Sequence, residues 1–251
     1  MNAISFKLRG KTACFRKPDA NQFAYFSYNN IHKPALLGLL GAIIGLGGHT
    51  QLHNKNRGLK SGKLGYDEGY PDFYEKLQNF KVSIAPLAPH GYFSKKIQVF
   101  NNSVGYASQE MGGNLIVREQ WLENPSWQIM ILDDASDEYK KIVDYLQNQK
   151  AVFIPYLGKN DHPANIEEVE ILELQDAQGN YINSLFIKNF DKLDGWAKES
   201  ETPFIFQEVS PARLQKKYHF YEYATLVFTN YELEILPENV FSHAGKNHAF
   251  I

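Results

Sequence analysis

The chain has 251 residues, 43% of them hydrophobic and 22% charged, with a formal net charge of −2 at pH 7. That is enough apolar chain for one large core or two small ones, and the near-neutral balance excludes a protein held on nucleic acid by its average charge alone. The single cysteine, Cys14, excludes an internal disulfide and any cysteine-based zinc site, and no run of about 18 apolar residues offers a membrane span.

The opening residues alternate polar and apolar, which is not the pattern of a signal peptide, so the expected compartment is the cytoplasm. Charge is distributed unevenly. Residues 1–66 hold ten Lys or Arg and one acid, Asp19, whereas residues 160–201 hold ten Asp or Glu and three lysines. Such separation predicts one face for a polyanion and another for a basic partner.

Ile4, Phe6 and Leu8 alternate with Ser5, Lys7 and Arg9, which predicts a strand with one buried face and one open, cationic face. The strand can resume from Thr12 to Phe15. The following stretch mixes Arg16, Lys17 and Lys33 with Phe23, Tyr25, Phe26 and Tyr28, and cations interleaved with aromatics suit phosphates and bases together. PALLGLLGAIIGL, residues 34–46, predicts a buried helix that Pro34 can open because an N–H is not needed in the first turn. Gly38, Gly41 and Gly45 each cost that helix about 1 kcal/mol, so another backbone is expected to pass close by. His32 and Lys33 stand at the helix mouth, where free N–H groups favour an anion.

Residues 47–70, with six glycines, Lys55, Arg57, Lys60 and Lys63, read as a mobile basic loop. It is no P-loop, since its Gly-Lys pair lacks a following Ser or Thr. A short helix is expected over 72–79 and a strand over 80–87. KIQVF (96–100) and NLIVREQWL (114–122) predict two strands joined by a Gly-rich finger, with a further strand at 127–134. Ser136 caps a helix in which Tyr139, Ile142, Val143 and Leu146 share one face. AVFIPYLG, residues 151–158, reads as a buried strand. VEILEL, YINSLFI, PFIFQEV, YHFYEYATLVF and YELEIL predict a strand-rich remainder.

The order strand, helix, strand, strand, helix, strand over residues 1–158 predicts an α+β, ferredoxin-like (RRM-like) domain, followed by a β-rich extension over 159–251. The eight histidines never adopt a metal-binding spacing, so no metal or cofactor is expected. No GxSxG elbow supports acyl transfer. Metal-free RNA cleavage needs only a base, an acid and a cation, and Lys217, Tyr218 and His219 offer all three types. In a strand, however, at most two of them could converge.

FKLRGKTACFRKP, HKPALLGLLGAIIGL, IVREQWLENPSWQIMI and IPYLGKNDHPANI, in that order over residues 4–166, resemble the signature stretches of the CRISPR-associated Cas-five family, with an overall make-up similar to its type I-B members. The resemblance implies the repeat-associated RNA-binding superfamily, a ferredoxin-like body and a protruding β-hairpin thumb. It implies a non-catalytic subunit of Cascade, the antiviral surveillance complex, that caps the 5′ handle of crRNA beside the backbone and large subunits. No membrane or small-molecule substrate is involved. The thumb would be residues 101–114, with Tyr106 and Met111 near its tip and Arg118 on its returning strand. Arg9, Arg16, Lys17, His32 and Lys33 would touch the handle, joined by Lys159, Asn160 and His162. One branch of the family processes repeat RNA, which keeps a metal-independent endoribonuclease as the alternative.

Overall fold

A computed structural model of the chain describes residues 1–19, 23–57, 69–103, 105, 109–188 and 202–251. The first strand, β1 (Asn2–Arg9), is followed by a two-residue strand, β2 (Thr12–Ala13), and then by helices α1 (Lys33–Ile44), α2 (His49–Arg57) and α3 (Asp72–Leu77). Next come β3 (Val82–Pro86), β4 (Lys95–Asn101), β5 (Ile116–Glu123), β6 (Ser126–Leu132) and α4 (Asp137–Gln147). The remainder holds β7 (Asn165–Glu173), β8 (Gln175–Asp176), β9 (Phe186–Ile187), β10 (Ile205–Leu214), β11 (Tyr221–Thr229), β12 (Val240–His243) and β13 (Lys246–Ala249).

The central sheet is antiparallel throughout and runs β3-β6-β1-β7. Alternation puts Ile4, Phe6 and Leu8 of β1 on the face that packs against α1 and α4, in one core with Ile84, Ile129, Leu36, Leu40, Ile43 and Ile142. The opposite face is less open than its charges predict. Ala3 and Ser5 are buried, and Ala3 packs with Met130, Leu172 and Phe250.

Farther along β1 the cations meet acids. Between Ser5 and Lys7 the pairing with β7 shifts at a bulge, where Glu168 takes φ 54°. The extra residue brings two successive carboxylates against two cations. Arg9 lies 2.7 Å from Glu167, and Lys7 lies 3.1 Å from Glu168. The basic face expected of the first strand is thus balanced by the acidic stretch expected to dock a partner.

α1 is apolar nearly all round and buried. His32 is its N-cap, its Nδ1 accepting the N–H of Ala35 at 3.2 Å, and Gly45 ends it in the left-handed conformation at φ 82°. The close approach implied by its glycines is made by α3. A Cβ on Gly41 would collide with the Cβ of Phe73, whereas one on Gly38 would sit 3.7 Å from the Phe73 ring. In α4, Ser136 Oγ accepts the N–H of Tyr139 at 3.1 Å, as its sequence predicts.

Four expectations are corrected. Residues 49–57 form a helix, started where Gln51 Oε1 accepts the N–H of Gly48 at 3.0 Å; residues 58–68 of the expected loop lie outside the described residues. AVFIPYLG is not a strand. Val152 and Phe153 instead donate their N–H groups to the last carbonyls of α1, Ile43 and Ala42, and Val152, Phe153, Ile154 and Tyr156 are exposed. The strand beside β1 comes later, at β7. YELEIL forms no strand; Leu233 is drawn into a small core with Ile182 and Val227. KKYHFY is the turn joining β10 to β11, not a strand interior.

Candidate nucleic-acid interface

β4 and β5 pair from Lys95↔Leu122 to Asn101↔Ile116 as a hairpin. Met111 near its end is fully exposed, as are much of Leu115 and Ile116. Tyr106 lies outside the described residues. Residues opposite each other on paired strands share a face, so Ile97, Val99 and Arg118 line one side, and Phe100, Glu119 and Trp121 the other.

On the first side, residues 23–28 run along the edge of β5. The N–H of Tyr25 donates to the carbonyl of Arg118 at 2.9 Å, and the N–H of Gln120 donates to that of Tyr25 at 2.8 Å. This pairing brings two cation–aromatic stacks together. The Arg16 guanidinium sits 3.2 Å from the centre of the Tyr25 ring, and that of Arg118 sits 5.5 Å from the Phe23 ring. Both arginines are exposed, and Phe23 is 65% exposed. Lys17 lies farther in, 5.1 Å from the Tyr28 ring and 3.8 Å from Glu208. Burial raises the pKa of Glu208, opposed by the N–H of Asn29 and the charges of Lys17 and Lys95. Phosphates would meet Arg16 and Arg118 first.

The second side belongs to the loop at 158–162. Lys159 Nζ donates to both carboxylate oxygens of Glu119, at 2.9 and 2.8 Å, and Trp121 Nε1 donates to the same carboxylate at 3.0 Å. His162 is fully buried against the Trp121 ring, with Nδ1 2.7 Å from Thr12 Oγ1. Burial lowers its pKa first, and the Lys159 charge adds to this. Gly158 has φ +86°, and a Cβ there would collide with the carbonyl of Cys14, so the loop seats flat on the start of the chain. Asn160 alone of the three loop residues anticipated for RNA is exposed.

Other anticipated contacts are already engaged within the chain, Arg9 at the surface and His32 and Lys33 in the interior. Arg9 is held by Glu167. His32 is 3% exposed, ringed edge-on by Phe15, Tyr28 and Tyr221, and burial drives its pKa down to about 3. Lys33 Nζ donates to the carbonyl of Ile251 at 3.1 Å; burial, with Lys81 and Arg213 nearby, lowers its pKa to about 8. The mouth of α1 is closed by its own cap. Among the described residues no three or more His, Cys, Asp or Glu side chains form a group able to hold a metal ion, and no single helix is long and apolar enough to cross a membrane.

Sequence reasoning missed Glu119 as an internal anchor, Trp121 as its donor and the exposed 152–156 ledge. For Glu119 the signal was present: an acid beside Trp121 in the middle of a strand, with a lysine in the YLGKNDHP loop to pair with it.

No family model matches the sequence, and no curated protein does. Among solved structures, a chain of a CRISPR RNA-guided surveillance complex superposes with a TM-score of 0.52 at 10% identity, over 92% of this chain and 91% of that one. A CRISPR protein from Archaeoglobus fulgidus aligns over 99% and 98% at 10% identity, with a TM-score of 0.46. A mixed α/β body of several antiparallel sheets is therefore a fold this chain shares with a component of a CRISPR RNA-guided complex.

Proposed function

We propose that this chain is a non-catalytic RNA-binding subunit of a CRISPR surveillance complex, of the Cas-five, type I-B kind, that holds the repeat-derived 5′ handle of crRNA in the cytoplasm. The observation that carries this reading is the pair of cation–aromatic stacks, Arg16 on Tyr25 and Arg118 on Phe23, brought together where Tyr25 pairs with β5 of the hairpin. Charge for phosphates and flat surfaces for bases are what single-stranded RNA requires. The sheet order β3-β6-β1-β7, with helices between its first and second and its third and fourth strands in sequence, supports a ferredoxin-like body. That body runs through Glu173 rather than stopping at residue 158, and the β-rich extension follows it.

The handle would cross Arg16, Phe23 and Arg118, with Met111 at the hairpin end as a wedge and Asn160 at the edge; Tyr106 is the other wedge the sequence offers. Glu170, Glu173 and Asp176, exposed on β7 and β8, remain for a basic surface of the backbone or large subunit. The test is binding of repeat-derived RNA by the assembled complex. Replacing Arg16 and Arg118 together with alanine is expected to lower affinity at least tenfold, while scrambled RNA binds less tightly than repeat RNA. Equal affinity for the two RNAs, or no change in the double variant, overturns the reading.

The endoribonuclease alternative rests on Lys217, Tyr218 and His219, which occupy a turn where His219 Nε2 lies 2.7 Å from the carbonyl of Gly69. Metal-independent cleavage of repeat RNA at the handle boundary by the purified chain would favour it.

A further inference from the structure

A cleft of about 750 Å³ runs along the side of α1, between the 152–156 ledge, the first turn of α2 and Tyr221. Its floor is made of small residues, Ala35, Gly38 and Ala42, so a ligand can lie close to the helix. Its walls are aromatic. Phe153 is 51% exposed, Tyr156 and Ile154 are exposed beside it, and the hydrogen bonds from Val152 and Phe153 to the end of α1 keep these side chains from folding inward. Arg16, His32 and His49 are among the residues lining the cleft, and none of the lining residues is a carboxylate.

His32 supplies the second, independent observation. Because Nδ1 accepts the N–H of Ala35, the proton of the neutral ring must sit on Nε2. Among the described residues no acceptor takes it, and the ring, 97% buried by its neighbours, lines the cleft. A neutral, oriented N–H donor is thus left for an acceptor from outside. The start of α2, with the positive partial charge of a helix N-terminus, lies across from it.

We infer that this cleft receives one unstacked nucleotide of a single-stranded RNA, its base held among Phe153, Tyr156 and Tyr221 and one of its acceptor atoms taken by His32 Nε2. The inference rests on the RNA-binding reading above and adds a second place of contact, joined to the first through Arg16, which lines the cleft and stacks on Tyr25. A flat, polar-edged ring fills such a slot better than an aliphatic side chain does. It stacks on the aromatic walls, which contributes about 1–3 kcal/mol per base, and it carries acceptors for the His32 donor at the cleft wall.

The test is photo-crosslinking of the full chain to short single-stranded RNAs carrying 4-thiouridine at each position in turn, with the crosslinked peptides mapped by mass spectrometry. The expected result is a crosslink within residues 153–156 or at Tyr221 from at least one position. It should be lost in the Phe153→Ala/Tyr156→Ala variant and reduced about tenfold in His32→Asn. Asparagine is itself a good helix N-cap, so a thermal melt of His32→Asn should stay near that of the parent. If that variant fails to fold, the two exposed ledge substitutions decide the matter. Crosslinks confined to the Phe23, Met111 and Arg118 surface overturn the cleft and leave the RNA-binding reading standing. Crosslinks nowhere overturn both. A cleft crosslink undiminished in folded His32→Asn overturns the donor role.

Discussion

Lys159 and Glu119, forty residues apart, form an ion pair whose carboxylate is 4% exposed and whose two oxygens both receive the ammonium. The pair ties the base of the hairpin to the loop at 158–162. Burial alone would lower the pKa of Lys159, but the hydrogen bond and charge of Glu119 raise it overall. Removing the lysine strands a buried charge. Lys159→Met should therefore cost about 3 kcal/mol in urea denaturation, and Glu119→Gln/Lys159→Met clearly less than the two single losses added. Additive losses would show that the pair is not coupled.

Gly38 and Gly41 lie one turn apart on α1 and should respond oppositely. A methyl at 41 meets the Cβ of Phe73, and forcing it in costs about 1–3 kcal/mol. At 38 there is ordinary contact space, so alanine should be neutral or stabilise by up to about 1 kcal/mol through helix propensity. Thermal melts of the two variants check this, and equal shifts would remove the close approach of α3 as the cause.

His32 and His248 both have pKa values lowered by burial, to about 3 and about 4. The unfolded chain takes up protons below the ordinary histidine pKa while the folded chain does not. Stability is therefore full above about pH 6.5 and falls as the pH drops toward 4, by about 1.4 kcal/mol per pH unit for each histidine. Denaturant midpoints at pH 7, 6 and 5 should decline, and His32→Asn should flatten the decline. A midpoint that rises on acidification would contradict the burial of these rings.

Under the RNA-binding reading, Arg16→Ala and Arg118→Ala should each lower the slope of log affinity against log salt by about 0.7. Arg9→Ala should leave it unchanged, since that guanidinium already faces Glu167. A drop for Arg9 equal to that for Arg16 would return the first strand to the interface.

Elements whose patterns are local were legible. The alternation of β1, the unbroken apolar run of α1, and Ser136 followed by acids before α4 each name their own structure, and the two strands flanking a Gly-rich link announced the hairpin. What failed depends on partners far along the chain. Whether Lys7 and Arg9 face solvent is settled by Glu167 and Glu168, more than 150 residues later, through a bulge that leaves no trace in composition. AVFIPYLG has every mark of a core strand, yet the N–H groups of Val152 and Phe153 cap α1, the side chains from Val152 to Ile154 and that of Tyr156 stay outside, and Leu157 enters the core. The β12–β13 hairpin turns on Ala244 and Gly245, both at positive φ, and a two-residue turn ending in glycine was its available signal.

The position of β1 between β6 and β7 also governs how the molecule comes into being. During synthesis β1 must wait for residue 132 to gain one neighbour and for residue 173 to gain the other. At about 5–20 residues per second this leaves the backbone edges of β1 unpaired for roughly ten seconds or more. Such delayed, non-local closure is the slowest kind of assembly. The newborn chain should thus be most prone to stray association before β7 is made, and substitutions in β7 should reduce yield of soluble protein more than their effect on the finished fold would suggest.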